Sequence, residues 1–172
     1  MISNLQCVEV KELSAPLLQS LSELLAAVVE DGASVGFMPP LSLASAESYW
    51  RKVPGEDVLL WVAMDQEVVC GTVQLHLSMK ENGLHRAEVA KLMVHPDHRQ
   101  KGIGRALMKA AEAGAVREGR SLLVLDTRQG DPSNLLYRSE GYIEAGTIPR
   151  FALSSHGSLD ATVFYYKEIS RN

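Results

Sequence analysis

One segment of the chain, residues 91–108, combines residue types that can hold an anionic group. A short apolar strand leads into a basic loop, and two glycines then open a helical pattern. Glycine lets a ligand approach the backbone closely. The first N–H groups of a helix lack an internal partner, and the helix dipole is positive at that end. The segment is therefore predicted to bind a phosphate-like group. The residues concerned are His98, Arg99, Gln100 and Lys101 in the loop, followed by Gly102 and Gly104.

Two common phosphate-binding motifs can be compared with this segment. It is not a P-loop, because no Gly-Lys-Ser/Thr follows the glycines. Gly102 and Gly104, with Ala106 after them, fit part of the dinucleotide fingerprint. Asp126 also lies at a distance typical of the ribose-binding acid in that fingerprint. However, the fingerprint places its first glycine directly after the strand, whereas seven residues separate Val94 from Gly102. The spacing therefore disfavours a nicotinamide-dependent oxidoreductase, which remains a rival interpretation.

Composition and charge indicate the class of protein. The chain has 172 residues, 46% hydrophobic and 22% charged, which is typical of one globular domain over residues 1–172. Its net charge of −4 argues against general nucleic-acid binding. Neither a signal peptide nor a membrane-spanning stretch is predicted. Cys7 and Cys70 lie in apolar, strand-like runs and are expected to be reduced core residues of a cytoplasmic protein.

Hydrophobic periodicity predicts the element order β-α-α-β-β-β-α-β-α-β-β. The predicted strands are 4–12, 57–64, 67–78, 85–94, 121–127, 142–148 and 161–169. The predicted helices follow Ser14, cover 42–52 and 103–118, and start near Asp131. The last two strands are predicted to be joined by a polar loop around 154–160. Antiparallel strands thus come first and a single parallel βαβ unit follows, which indicates a mixed α/β fold.

The segment that opens this section also resembles a known family. The chain contains Val94-x-Pro96-x-x-Arg99-Gln100-x-Gly102-Ile103-Gly104-x-Ala106-Leu107, which is similar to the acetyl-CoA-binding motif of the GNAT superfamily of N-acetyltransferases. It also contains Asn134-Leu-Leu-Tyr137-Arg-Ser-Glu-Gly141-Tyr142, which is similar to the next motif of that family. The two motifs cover residues 91–142. The resemblance implies the GNAT acyl-CoA N-acyltransferase fold, in which a parallel strand pair splays apart to take acetyl-CoA.

The resemblance also implies how acetyl-CoA would be held. Backbone N–H groups of residues 99–105 would cradle the pyrophosphate, and the edge of strand 92–94 would pair with the acetyl-pantetheine arm. Asn134 would hydrogen-bond the pantetheine, and Tyr137 would lie near the sulfur. Members often form pairs of subunits, so a homodimer is compatible with the resemblance. The candidate cofactor-binding residues are Leu92, Met93, Val94, Arg99, Gln100, Lys101, Gly102, Ile103, Gly104, Arg105, Ala106 and Asn134.

Further stretches resemble a narrower group within that superfamily. They are Gly32–Met38, Leu59–Val62, Asn82–Val94 and Leu122–Thr127, and they are similar to the tabtoxin-resistance acetyltransferases. That group acetylates a hydroxylated β-lactam amino acid. The stretch Asp131–Leu136 departs from it and fits the wider superfamily better. The resemblance implies a small amine or amino-acid-like acceptor, with toxins and antibiotics among the candidates.

Acetyl transfer requires a base, stabilisation of the oxyanion and a proton for the leaving thiolate. Glu88 and Asp126 lie in strands predicted to be neighbours, and close carboxylates raise each other's proton affinity. Strand alternation predicts Glu88 on the same face as Leu92 and Val94. A backbone N–H near Val94 would serve the oxyanion, and Tyr137 would protonate the sulfur. No Ser–His or Cys–His set is visible, so direct attack by the acceptor is favoured over an acetyl-enzyme.

Structural roles are the alternative for these candidate catalytic residues. Glu88 would then pair with Arg86 or Lys91. Asp126 would cap a loop through backbone N–H groups, and Tyr137 would be a packed aromatic of a short helix.

Three other segments are predicted to contact the acceptor and to determine which acceptor is used. They are 32–40, 82–88 and 148–160. The five histidines show no metal-ligand spacing, so no metal site is predicted. A protein N-terminus or lysine as the acceptor, or a non-catalytic acyl-CoA-binding module, would also fit the sequence. The candidate substrate-binding residues are Val35, Gly36, Phe37, Met38 and Arg86.

Overall fold

The computed structural model describes residues 4–170, and its elements follow the predicted order. The strands are β1 (Leu5–Glu9), β2 (Val58–Asp65), β3 (Val68–Leu77), β4 (Arg86–Val94), β5 (Leu122–Arg128), β6 (Ile143–Leu153) and β7 (Leu159–Glu168). The helices are α1 (Ala15–Glu30), α2 (Leu43–Trp50), α3 (Ile103–Arg117) and α4 (Ser133–Ser139). Short 3₁₀ turns occupy Glu81–Gly83 and Pro96–His98. The predicted mixed α/β class is confirmed.

Local signals explain where the first helix begins and ends. The Ser14 hydroxyl accepts a hydrogen bond from the Leu17 N–H at 3.3 Å, and Pro16 lies in the first turn, where no N–H is needed. Gly32 follows the last turn with a φ of 88°, a left-handed conformation that glycine adopts readily. The loop between α1 and α2 therefore starts at Gly32.

The seven strands form one sheet in the order β1-β2-β3-β4-β5-β7-β6. Only β4 and β5 are parallel, and the crossover between them is α3. The sheet is covered on both faces. Helices α3 and α4 pack on one face, called the α3 face here, and α1 and α2 pack on the other, called the α1 face. None of the helices within residues 4–170 combines the length and apolar character needed to cross a bilayer.

The C-terminal hairpin is longer than the sequence predicts. β6 continues to Leu153 and β7 starts at Leu159, so strand residues occupy most of the predicted 148–160 loop and only residues 154–158 connect the two strands. β6 is one of the two edge strands of the sheet, and its side chains are largely exposed on both faces, which removes the alternation on which the prediction depended. The register slips between Ile148 and Ala152, where Arg150 has a φ of 54°.

A β-bulge in β4 overturns one prediction about its faces. Gln74 of β3 pairs with Ala90, but Thr72 pairs with Met93, so β4 carries one extra residue between these pairs. Beyond this bulge the alternation is shifted by one. Glu88, opposite His76, therefore lies on the α1 face, as Met93 does. In contrast, Leu92 and Val94 pack on the α3 face. The prediction that Glu88 shares their face is wrong.

Helix α3 packs closely against the sheet at Gly114. A Cβ there would lie 2.4 Å and 2.5 Å from two ring carbons of the buried Trp61. We expect Gly114→Ala to lower the free energy of unfolding by about 1–3 kcal/mol, because either the helix or the indole must move. Thermal unfolding followed by circular dichroism measures this effect. An alanine within an unobstructed helix stabilises it instead, so an unchanged or raised melting temperature would contradict the predicted contact.

Candidate active site

The site is formed where β4 and β5 diverge. The two strands pair only from Arg86–Leu122 to Glu88–Val124 and then separate, although both continue for several residues. A cavity of about 860 Å³ opens between them. It extends from the N-terminus of α3, past β4, to the α1–α2 loop and the β6–β7 hairpin. One cavity thus joins an anion-binding helix end to the segments expected to face the acceptor.

The cavity brings together most of the residues that the sequence singled out. All three candidate catalytic residues line it. So do the following cofactor and substrate candidates: Leu92, Met93, Val94, Arg99, Gln100, Gly102, Ile103, Gly104, Arg105, Val35 and Gly36. The candidates outside its lining are Lys101, Ala106, Asn134, Phe37, Met38 and Arg86.

The backbone before α3 forms an open cradle. Gln100 and Gly102 have φ values of 60° and 80°, which turn the chain sharply into the helix. The first N–H with an i→i−4 partner is that of Ala106, bonded to the Gly102 carbonyl at 3.0 Å. The preceding amides lie ahead of this bond at the positive end of the helix dipole. A Cβ on Gly102 would meet nothing within 4 Å, so open space adjoins the backbone. These features fit an anion such as a pyrophosphate.

The basic side chains around this cradle are mostly engaged with the protein. Arg99 Nη1 lies 2.6 Å from Asp31 at the end of α1, and Lys101 donates to the Asp97 carbonyl at 3.2 Å. Arg105 bonds Glu140 and the Ser139 hydroxyl. Backbone amides rather than unpaired cations therefore dominate the cradle.

Tyr137 lies where its hydroxyl can reach the cavity. Its residue is only 6% exposed, yet it contributes to the cavity lining. The hydroxyl makes no hydrogen bond within residues 4–170. Burial first, and then the negative charges of Asp126 and Asp131, raise the pKa of Tyr137 well above its usual range. The phenol therefore stays protonated near neutral pH and can donate a proton.

The Asn134 side chain is hydrogen-bonded within the protein. Its amide donates to the carbonyls of Arg128 at 3.0 Å and Asp131 at 2.8 Å, and its Oδ1 accepts from the Tyr165 hydroxyl at 2.8 Å. These three bonds use the side chain's groups to hold the β5–α4 loop. Oδ1 accepts a single hydrogen bond here, so one acceptor position of this oxygen is left for a further donor.

The two carboxylates have different surroundings. Asp126 Oδ2 accepts a hydrogen bond from the Thr162 hydroxyl at 2.7 Å. Glu88 is exposed in the cavity and has neither a hydrogen bond nor an ion pair within the described chain. Both act electrostatically on Lys91, whose pKa is lowered by burial and partly restored by the two negative charges. Glu88 is therefore the carboxylate with its oxygens free.

Sequence reasoning missed a polar network beside Glu88. The His76 Nε2 lies 2.8 Å from Gln74 Oε1, and Gln74 Nε2 donates to the Tyr49 hydroxyl at 2.9 Å. Burial lowers the pKa of His76, although Glu88 opposes this shift. A largely neutral imidazole thus lies next to the free carboxylate. The signal was the alternation Thr72-x-Gln74-x-His76 within an otherwise apolar strand.

Arg128 was also missed, and it connects three loops at the cavity. Its guanidinium lies 3.0 Å from Asp131 and 3.9 Å from Asp160, and Nη1 donates to the Gly32 carbonyl at 3.2 Å. These contacts join the β5–α4 loop, the hairpin and the α1–α2 loop. The Asp131 contact is local, but no local sequence signal could reveal the other two, because Gly32 and Asp160 are distant from Arg128 in the chain.

Three substrate candidates lie away from the main cavity. The Phe37 ring packs edge-on against Tyr49 with centroids 5.0 Å apart. Phe37 and Met38 line a second cavity of about 260 Å³ between the α1–α2 loop and the hairpin. The Arg86 guanidinium lies close to Gly83, in the turn before β4. Of the five candidates, only Val35 and Gly36 line the main cavity. Within residues 4–170, no group of three or more His, Cys, Asp or Glu residues could hold a metal ion.

Comparison with known proteins gives a family and a shared fold. The family model "Acetyltransferase (GNAT) domain" matches residues 56–144, just over half of the chain. An N-acetyltransferase from Staphylococcus aureus Mu50 superposes with a TM-score of 0.83 at 15% identity, covering 98% of this chain and 100% of that one. The yncA structure from Salmonella typhimurium, which contains its cofactor acetyl-CoA, gives 0.78 at 17% identity, with 96% and 95% covered. The ribosomal-protein-alanine N-acetyltransferase from Brucella melitensis gives 0.78 at 19%, with 94% and 99% covered. At these identities the structural likeness demonstrates the fold alone.

Proposed function

This chain belongs to the GNAT acetyltransferase family, and on that premise we propose that it transfers an acetyl group from acetyl-CoA directly to a small amine or amino-acid-like acceptor. The observation that carries this proposal is the divergence of β4 and β5. It produces a single cavity with the α3 N-terminus at one end and Glu88, Asp126 and Tyr137 further along it. Acetyl-CoA supplies the acetyl group as a thioester, which is activated towards attack by an amine.

The donor end of the cavity is assigned to the backbone. The amides before Ala106 would bind the pyrophosphate, since they lie ahead of the first helical hydrogen bond. Beyond Glu88, the edge of β4 that faces β5 has no strand partner, so its polar groups can pair with an extended pantetheine arm. In the same proposal an N–H near Val94 donates to the thioester oxygen as negative charge develops there.

Glu88 is our choice for the base. Its carboxylate has no partner within the described chain, whereas an Asp126 oxygen is held by Thr162. A protonated amine cannot attack, so Glu88 would take one proton, with His76 beside it as a neutral neighbour. Tyr137 would then donate a proton to the departing sulfur.

We expect Glu88→Gln to lower kcat at neutral pH by about 10- to 100-fold, because the amide cannot accept the proton. Raising the pH should partly restore the activity of Glu88→Gln, because a larger fraction of the acceptor amine is then already deprotonated in solution. The matched control is Asp126→Asn, which keeps Glu88 and should have a smaller effect. Steady-state kinetics from pH 6 to 9 separates the two. A larger loss in Asp126→Asn would transfer the role of base to Asp126.

The identity of the acceptor is the finer part of the proposal. The stretches similar to the tabtoxin-resistance acetyltransferases favour an amino-acid-like toxin, such as a β-lactam amino acid. The contacts of Arg128 with Gly32, Asp131 and Asp160 support a small acceptor, because they join three segments of the cavity wall to one another. The alternatives are a protein N-terminus or lysine as acceptor, and a non-catalytic acyl-CoA-binding role.

A thiol-release assay tests this function. Acetyl-CoA is supplied with a panel of amines, amino acids, β-lactam amino acids and peptides with free N-termini, and the release of CoA is measured. Turnover with small amines supports the proposal. Turnover with peptides alone would favour the protein-acceptor alternative. Saturable acetyl-CoA binding without any turnover would favour the binding module, and saturable NAD binding without CoA binding would overturn acetyl transfer.

The exposed edge of the sheet bears on how the protein assembles. The edge strand β6 exposes Ile143, Ile148, Phe151 and Leu153, and an exposed apolar edge favours pairing with a second copy. We therefore propose a homodimer, which light scattering can test.

A cytoplasmic location is supported by Cys7 and Cys70, both of which are free thiols.

A further inference from the structure

Lys91 occupies the β-bulge of β4, at the point where β4 and β5 have separated. Its φ is 54°, a left-handed conformation that costs energy for any residue other than glycine. The bulge adds one residue to β4 between the Gln74–Ala90 and Thr72–Met93 pairs. Bulges of this kind re-aim side chains beside functional sites. Here the side chain that the bulge displays is a lysine in the cavity wall.

The Lys91 ammonium is partly buried and unpaired. It forms no hydrogen bond or ion pair within residues 4–170. It lies against the α1–α2 loop, since a Cβ on Gly36 would be 3.1 Å from Nζ. Burial lowers the pKa of Lys91, while Glu88 and Asp126 act in the opposite direction. An ammonium that is partly removed from water and has no bonded partner is stabilised by a ligand that completes its coordination.

The arginines that line the cavity differ from Lys91, because each of them is paired with a carboxylate. The three arginines in its lining are bonded to carboxylates of the protein. Their partners are Asp31 for Arg99, Glu140 for Arg105 and Asp131 for Arg128. Two of these arginines, Arg99 and Arg105, also belong to the donor end. Lys91 is thus the lysine or arginine of this lining that remains available to an anionic group on the acceptor.

We propose that Lys91 binds a carboxylate of the acceptor, so that the acceptor class is amino acids with a free carboxyl group near the reacting amine. The acceptor ammonium would lie towards Glu88 and Asp126 and the carboxylate towards Lys91, which matches one zwitterion to opposite charges on the protein. This inference rests on the proposed acetyl transfer. It goes beyond it by assigning a specificity-determining residue and a charge requirement.

The test compares acids with their neutral counterparts. Wild type, Lys91→Met, Lys91→Arg and the surface control Lys109→Met are assayed with L-amino acids and with the corresponding carboxamides. The carboxamides keep the amine and lose the negative charge. We expect Lys91→Met to raise KM for the acids by about tenfold or more, with little change for the carboxamides. Lys91→Arg should recover part of the loss, and Lys109→Met should behave as wild type.

Binding is measured in parallel, because it does not depend on turnover. The CoA-saturated protein is titrated calorimetrically with the same acids and carboxamides. Wild type should bind the acids more tightly than the carboxamides, and Lys91→Met should show no such difference. Unchanged CoA affinity in Lys91→Met confirms that the variant is folded.

The outcomes separate the two proposals. If Lys91→Met lowers kcat equally for acids and carboxamides, Lys91 acts on the reaction itself and the inference is overturned, while acetyl transfer stands. If wild type favours no acid over its carboxamide in either assay, the inference is likewise overturned. If no acceptor is turned over but acids bind in a Lys91-dependent way, the binding site stands and acetyl transfer fails.

Discussion

Replacing Gly102 with valine is expected to weaken acetyl-CoA binding about 100-fold or more, while the protein still folds. Gly102 has a φ of 80°, which costs a residue with a side chain about 1–2 kcal/mol. That is a fraction of the stability of a typical domain. The larger effect arises in the cradle. A side chain there would project into the open space next to the free amides and displace the pyrophosphate from them.

Gly157 provides a matched control for backbone strain. It has a φ of 86° and also has nothing within 4 Å of a built Cβ, but it lies at the tip of the β6–β7 hairpin. Gly157→Val should therefore lower the melting temperature by a similar amount and leave acetyl-CoA binding unchanged. Isothermal titration measures the affinities. Near-normal affinity in Gly102→Val would refute the assignment of the cradle.

The neighbouring Gly104 has a different reason to be glycine. A Cβ there would lie 3.2 Å from a Leu136 methyl group and 3.9 Å from one of Val94. The space beside it is thus filled by α4 and β4. Its substitution would shift Leu136, which lies beside Tyr137 in the chain, so the loss of binding in a Gly104 variant would include a packing effect.

Removing the hydroxyl of Tyr137 is expected to lower kcat about 100-fold, with the acetyl-CoA affinity unchanged. The hydroxyl forms no hydrogen bond within the described chain, so Tyr137→Phe should fold and pack normally. Burial, aided by Asp126, raises the pKa of Tyr137, so deprotonation of this phenol should not limit the wild-type rate near neutral pH. Single-turnover and steady-state kinetics with acetyl-CoA measure the effect.

Two comparisons distinguish proton donation from packing. Tyr142 has its ring 6.0 Å from that of Tyr137 but does not line the cavity, so Tyr142→Phe should keep normal turnover. A thioester whose thiol is acidic needs no proton on departure. With such a donor the defect of Tyr137→Phe should largely disappear. An equal defect with both donors would assign the proton to water and a packing role to Tyr137.

The donor half of the site was predictable because it is local in sequence. A strand, a turn with left-handed residues and a helix start are encoded within residues 91–108, and the contacts proposed for the donor there come mainly from the backbone. Tyr137 and Asn134 were identified through a motif of the same kind. In the structure, however, Asn134 has three hydrogen-bond partners within the protein. One of them, Tyr165, lies in β7, about thirty residues further along the chain.

The acceptor half was less accessible to sequence reasoning. The faces of β4 depend on the bulge at Lys91, and a bulge is set by pairing with β3 rather than by the residues of β4 alone. For this reason alternation placed Glu88 on the wrong face. The length of the β6–β7 hairpin was also underestimated, because an exposed edge strand has no buried side whose periodicity could be recognised.

The sequence by itself therefore determined the order of elements, the mixed sheet and the anion cradle, since short-range backbone preferences and hydrophobic periodicity encode them. Only the tertiary structure decided which charged groups share the cavity. The contacts of Arg99 with Asp31 and of Arg128 with Gly32 and Asp160 join chain segments that are far apart in sequence, and Lys91 has no bonded partner within residues 4–170. In the proposed function, the cradle would bind the donor, and these long-range contacts would surround the acceptor.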